Sequence, residues 1–119
     1  MTSSINAAIL GAGGYGAGEL LRLFTQHPAV KVVAATSRAQ VGTPVTQLHP
    51  HLRGFYELRV TEAIDWQDLL AAEHAFVFSA LPHGTSAVAI DRLLTELEHQ
   101  DGRERVHFID LSGDLRLAD

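Results

Sequence analysis

The sequence predicts an α/β fold, a doubly wound and mostly parallel sheet, on three observations. A short apolar run, Ile5 to Leu10, stops at a cluster of glycines. A helical repeat follows at once, with Ala17, Leu20, Leu21 and Phe24 on one face. Further apolar runs recur at Val30 to Thr36, Ala75 to Ala80 and Val106 to Leu111, separated by helical or loop segments, which is the β-α-β alternation of parallel sheets.

The first strand, turn and helix contain Gly11, Gly13 and Gly16 in the spacing G-x-G-x-x-G. That spacing combines a sharp turn, a backbone bare enough to approach a pyrophosphate, and a helix N-terminus with free N–H groups. Glycines alone also suit a plain flexible turn. Their place, after a predicted strand and before a predicted helix near the start of the chain, favours a dinucleotide site in a Rossmann-like sheet. The helix should end near His27, because Pro28 disfavours helical geometry in the residue before it. Val30 to Thr36 then completes one β-α-β unit. Proteins of this kind that prefer NAD place a carboxylate about 20 residues past the glycines, on the ribose hydroxyls. This chain has Ser37 and Arg38 there, a hydroxyl and a guanidinium fork that suit a 2′-phosphate, so NADP is the expected cofactor. A solvated loop arginine is the alternative for Arg38.

Gln40 to Tyr56, with Gly42, Pro44, Pro50 and Gly54, is expected to be a long loop. His49 and His51 flank Pro50; without a third ligand nearby they are taken as polar loop residues rather than a metal pair. A short strand is expected at Leu58 to Val60 and a short helix at Asp65 to Ala71, with Trp66, Leu69 and Leu70 inward. After the strand Ala75 to Ala80, the turn Leu81 to Ser86 leads into a helix from Ser86 to about His99, with Ile90, Leu93, Leu94 and Leu97 as its buried stripe. Pro82, His83 and Gly84 sit at the carboxyl end of a central strand, where ligands collect. His83 has two readings, a cofactor contact or a helix cap. The last strand, Val106 to Leu111, is followed by Ser112, Gly113 and Asp114 at the same edge. Asp110 and Asp114 could pair as acid and base, but a loop-shaping role is preferred.

Composition narrows the function. A chain of 119 residues, 46% hydrophobic, should form one domain over residues 1–119 with a modest core. It has no cysteine, which excludes disulfides, thiolate metal sites and a cysteine nucleophile from these residues. A formal net charge of −5 argues against a general nucleic-acid binder. Between Leu20 and Tyr56, however, there is no Asp or Glu, while Arg22, Lys31, Arg38 and Arg53 all lie there, a balance suited to a small polyanion. Neither a leader pattern nor an apolar run of membrane-spanning length is present, so a cytoplasmic protein without membrane association is expected.

With these residues in place, the chain resembles the N-terminal domain of the N-acetyl-gamma-glutamyl-phosphate reductases of arginine biosynthesis. The resemblance is carried by GAGGYGAGELLRLF with HP (Gly11 to Pro28), TSR (Thr36 to Arg38), GTPV (Gly42 to Val45), PHLRG (Pro50 to Gly54), LPHGTS (Leu81 to Ser86) and IDLSGDLRL (Ile109 to Leu117). It implies an NADPH-dependent reductase in which a cysteine thiolate attacks an acyl phosphate and hydride reduces the resulting thioester. It further implies that Gly11, Gly14 and Tyr15 lie in the pyrophosphate loop, that Ser37 and Arg38 meet the 2′-phosphate, that Pro82, His83 and Gly84 border the cofactor, and that Ser112 to Arg116 edge the nicotinamide and substrate pocket. Two positions depart from the family pattern: Gly13 stands where Ser or Thr is usual, and Ala17 where Gly is usual. The family's cysteine and histidine base come later than Asp119. These residues are therefore expected to be about the first third of a reductase that is a homo-oligomer when complete, without its catalytic and substrate domain. The alternatives are a sister enzyme acting on carrier-linked aminoadipyl phosphate or aspartyl phosphate, and a non-catalytic NADP-binding sensor module.

Overall fold

The computed structural model describes residues 5–111 as β1 (Ile5–Leu10), α1 (Tyr15–Phe24), β2 (Val30–Thr36), α2 (Val45–Leu48), α3 (Trp66–Leu69), β3 (His74–Ser79), α4 (Ser86–Leu97) and β4 (Val106–Asp110). All strand pairs are parallel and the sheet order is β2-β1-β3-β4. The chain thus leaves β1 toward one side and returns across it to build the other, a Rossmann-like doubly wound arrangement whose switch point lies between β1 and β3. Leu10 pairs with both Thr36 and Ser79, and Ser79 with Asp110, so all four strands end level on one edge.

Side-chain alternation builds a core on each face. Ala8 and Leu10 of β1 and Ala34 of β2 turn to one side and pack with Trp66, Leu69, Ile90, Leu93 and Leu97. Ile9 and Ala35 turn to the other, against Ala17 and Leu21 of α1 and Val45, Leu52 and Val60. Each fully buried leucine or isoleucine contributes about 1.5–3 kcal/mol by leaving water.

Side chains claim the free backbone groups at both ends of α3. Asp65 caps α3, accepting the amides of Gln67 and Asp68 at 2.9 and 3.3 Å. At its far end Asn6 donates to the Asp68 carbonyl at 2.9 Å and Arg105 to that of Leu70 at 3.2 Å, so this helix is shorter than the predicted Asp65 to Ala71. Helix α4 stops at Leu97, short of His99, where the Glu98 amide closes on the backbone carbonyl of Leu94.

Two expectations change. The stretch Gln40 to Tyr56 holds α2 and a 3₁₀ turn, Pro50–Leu52, rather than loop alone. The strand expected at Leu58 to Val60 is reduced to isolated bridges, Pro44 with Arg59 and Thr36 with Thr61. The Val45 and Val60 amides bond across Pro44 to the Leu58 and Thr43 carbonyls, but the segment opposite becomes helix α2 at Val45 and turns at the left-handed Gly42, so the pairing extends no further.

Tyr56 ties this connection to α1. Its hydroxyl donates to the Leu21 carbonyl at 2.6 Å. Burial raises its pKa from 10.0 to about 12. The folded state therefore keeps a proton that the unfolded chain releases above pH 10. The stabilisation is whole below pH 10 and is lost as the pH rises toward 12. In urea unfolding, Tyr56→Phe should lose about 1 kcal/mol at neutral pH. The gap to the wild type should then close between pH 10 and 12.

Candidate dinucleotide site at the carboxyl edge

The carboxyl edge carries the glycine turn, the loop after β2 and the turn after β3, side by side. Gly11 has φ +86°, which a side chain resists. A Cβ placed there would lie 3.1 Å from the Ala80 carbonyl oxygen and 3.2 Å from a Leu81 methyl, so the β1 turn presses directly on the exit of β3. The amides of Gly11 and Ala12 both donate to the Thr36 carbonyl at 2.9 Å, and the Gly14 amide closes the turn on the Gly11 carbonyl at 3.1 Å.

Gly14 is the N-cap of α1 in extended geometry. It provides no side-chain cap, and the first helical turn holds no acidic residue. The amides of Tyr15 and Gly16 have no acceptor within the helix, and no carboxylate competes for them. Glu19, one turn on, is occupied by Arg22 at 3.2 Å. This donor set fits a pyrophosphate. The Tyr15 ring is 85% exposed beside it.

Ser37 follows β2, its amide donating to the Thr61 carbonyl at 3.1 Å and its hydroxyl reaching Gln40 Oε1 at 3.4 Å. Arg38 is exposed and pairs with no carboxylate among the described residues. After β3, Pro82, His83 and Gly84 are exposed, and Gly84 has φ +92°. The N-cap of α4 is Thr85, two residues beyond His83, with its hydroxyl on the Pro82 carbonyl at 2.8 Å. Ser112 and Asp114 lie outside the described residues.

Beneath the β3 turn runs a buried polar chain. Ser86 donates to Asp110 Oδ1 at 2.7 Å, and since a hydroxyl has one proton, Ser79 donates to Ser86. This chain binds the end of β3, the start of α4 and the end of β4 together, the shaping role expected of Asp110.

Three residues escaped the sequence reading. Gln40 lies against Gly13, where a Cβ would come within 2.5 Å of its Oε1, so the bare Gly13 leaves room for this amide. His49 is not a plain polar loop residue: it is buried, and its Nε2 donates to the Ala12 carbonyl at 2.8 Å. Gly18 is the glycine of close helix packing. A Cβ at Gly16 would meet Ala80 at an ordinary 3.6 Å, whereas one at Gly18 would strike His49 Nδ1 at 2.7 Å. An open groove of about 550 Å³, lined by Phe24, Val30, Phe55 and Tyr56 among others, lies by the amino end of β2; no glycine-turn residue lines it.

Comparison with known proteins agrees with this geometry. Residues 6–119 match the family described as the semialdehyde dehydrogenase NAD binding domain. An N-acetyl-gamma-glutamyl-phosphate reductase of Nitrosococcus oceani is 45% identical over 97% of this chain and 31% of its own length. A putative LysW-L-2-aminoadipate/LysW-L-glutamate phosphate reductase of Aeropyrum pernix is 44% identical over 100% of this chain and 31% of its own. Among solved structures, Candida albicans aspartate semialdehyde dehydrogenase with NADP superposes with a TM-score of 0.59 at 18% identity, covering 88% of this chain and 28% of that one. The chain spans 31% of the length of the first two relatives.

Gly11→Ala should lower stability by about 1–3 kcal/mol, through both backbone strain and the contact with Ala80. Gly42 has a similar φ, +87°, but open space around it. Gly42→Ala should therefore cost less, and urea midpoints of the two variants make the comparison.

Proposed function

Since the chain belongs to the semialdehyde dehydrogenase family of NAD-binding domains, we propose that it is the NADPH-binding part of a cytoplasmic, homo-oligomeric reductase. Its reaction is the conversion of N-acetyl-gamma-glutamyl phosphate to the semialdehyde, in arginine biosynthesis. The observation that carries this reading is the helix N-terminus at Gly14, free of acidic side chains and set against the exit of β3 at the switch point of the sheet.

The residues divide the binding work by chemistry. Gly13, Tyr15 and Gly16 present amides to the pyrophosphate, while Gly11 and Gly14, whose amides are held by the Thr36 and Gly11 carbonyls, shape the bare turn that lets it approach. Ser37 and Arg38 take the 2′-phosphate, the arginine through its planar fork. Pro82, His83 and Gly84 border the cofactor, and the family resemblance gives Ser112 to the nicotinamide and substrate pocket. When bound, the dinucleotide supplies the hydride. The chain has no cysteine, so the nucleophile that receives the acyl group comes from residues other than these.

The Aeropyrum relative, almost as similar as the Nitrosococcus one, supports a second substrate reading, a carrier-linked aminoadipyl phosphate. Steady-state assays of the full-length enzyme with both acyl phosphates distinguish the two.

Arg38→Ala should weaken NADPH by about tenfold or more while leaving NADH nearly unchanged, because only the former has the 2′-phosphate. Fluorescence titration with each cofactor measures the difference. Equal losses for both would remove Arg38 from this role.

A further inference from the structure

We propose that His49 is a positioning residue for dinucleotide binding, one that fixes the orientation of the Gly13 amide. The inference rests on the cofactor reading above. His49 lies between α2 and the 3₁₀ turn, with its own amide on the Val45 carbonyl and its carbonyl taken by the Leu52 amide, both at 2.9 Å. Its backbone is thus held at both ends. The ring is buried, with 8% of the residue exposed, and a nitrogen facing a carbonyl must carry the proton, so Nε2–H donates to Ala12.

The consequence follows from the planarity of the peptide bond. The described residues contain no cis peptide, and in a trans peptide the C=O and the following N–H point in opposite directions. Holding the Ala12 oxygen toward His49 therefore turns the Gly13 N–H away from the protein, toward the exposed side of the turn. Glycine at 13 offers little resistance to rotation of this plane. Without His49 the plane is free to rotate and carry the amide away from an approaching phosphate.

Gly18 makes the arrangement specific. Alanine is ordinarily the better helix residue. Here its Cβ would press on the imidazole, 2.7 Å from Nδ1 and 2.9 Å from Cε1, and push the ring off the Ala12 carbonyl.

The test uses the full-length protein and two probes, NADPH and adenosine 2′-monophosphate, which lacks the pyrophosphate. His49→Leu should weaken NADPH about fivefold to tenfold and leave the monophosphate within about twofold. His49→Gln, which keeps a donor at similar reach, should restore most of the NADPH affinity. Equal losses for both probes, no loss, or failure of glutamine to restore binding would each overturn the proposal. If His49→Leu does not fold, Gly18→Ala should give the same NADPH-selective loss, and an unchanged affinity there overturns it. A wild type that binds neither probe would sink the cofactor reading and this proposal together. A wild type that binds both but ignores changes at His49 sinks the proposal alone.

Discussion

The Thr36 carbonyl oxygen accepts two successive amides, those of Gly11 and Ala12, and the site depends on that shared acceptor. Because Thr36 is the last residue of β2 and pairs with Leu10, the turn is fixed by the same register that builds the sheet. A slip of one residue between the two strands would displace the acceptor and turn every side chain of β2 to the opposite face. Sheet pairing and ligand geometry are therefore one constraint at this end of the molecule. The left-handed Gly11 is what lets the chain leave β1 and remain bonded to β2.

The three loops of the carboxyl edge are held by different means. The glycine turn is held by backbone bonds, the β2 loop by the bridge to Thr61, and the β3 turn by the buried chain of Ser79, Ser86 and Asp110. A buried hydroxyl is favourable only while its bonds are complete. Here each proton has an acceptor, and no buried side-chain polar atom among the described residues lacks a partner. Rigid loops on a rigid sheet suit a ligand whose phosphates must be met by several donors at once.

Much of the fold was legible because its signals are local. The apolar runs at Val30, Ala75 and Val106 lie within a residue or so of their strands, and the glycine spacing marked the turn. What escaped depends on contacts distant in sequence. His49 read as a loop residue because its acceptor, Ala12, is 37 positions away. Gly18 looked like any helical glycine, since the ring that excludes its Cβ comes from another element. Leu58 to Val60 had the pattern of a strand, but the segment opposite it turns at Gly42 and enters a helix at Val45, which leaves too little extended chain to pair with. Gln40 gave no signal at all, because its place against Gly13 is a matter of tertiary geometry alone.

The strand order also governs how the molecule assembles. β1 is central, yet its two neighbours come later in the chain: Ile5 pairs with Val30 on one side and with His74 on the other. Among the described residues no two strands of this sheet are joined by a hairpin, so each of its ladders requires closure of a long loop before its hydrogen bonds form. During synthesis, one edge of β1 remains without its ladder until β3 has emerged. That places the exposed apolar strand, and with it the hazard of pairing to the wrong chain, early in the life of each molecule.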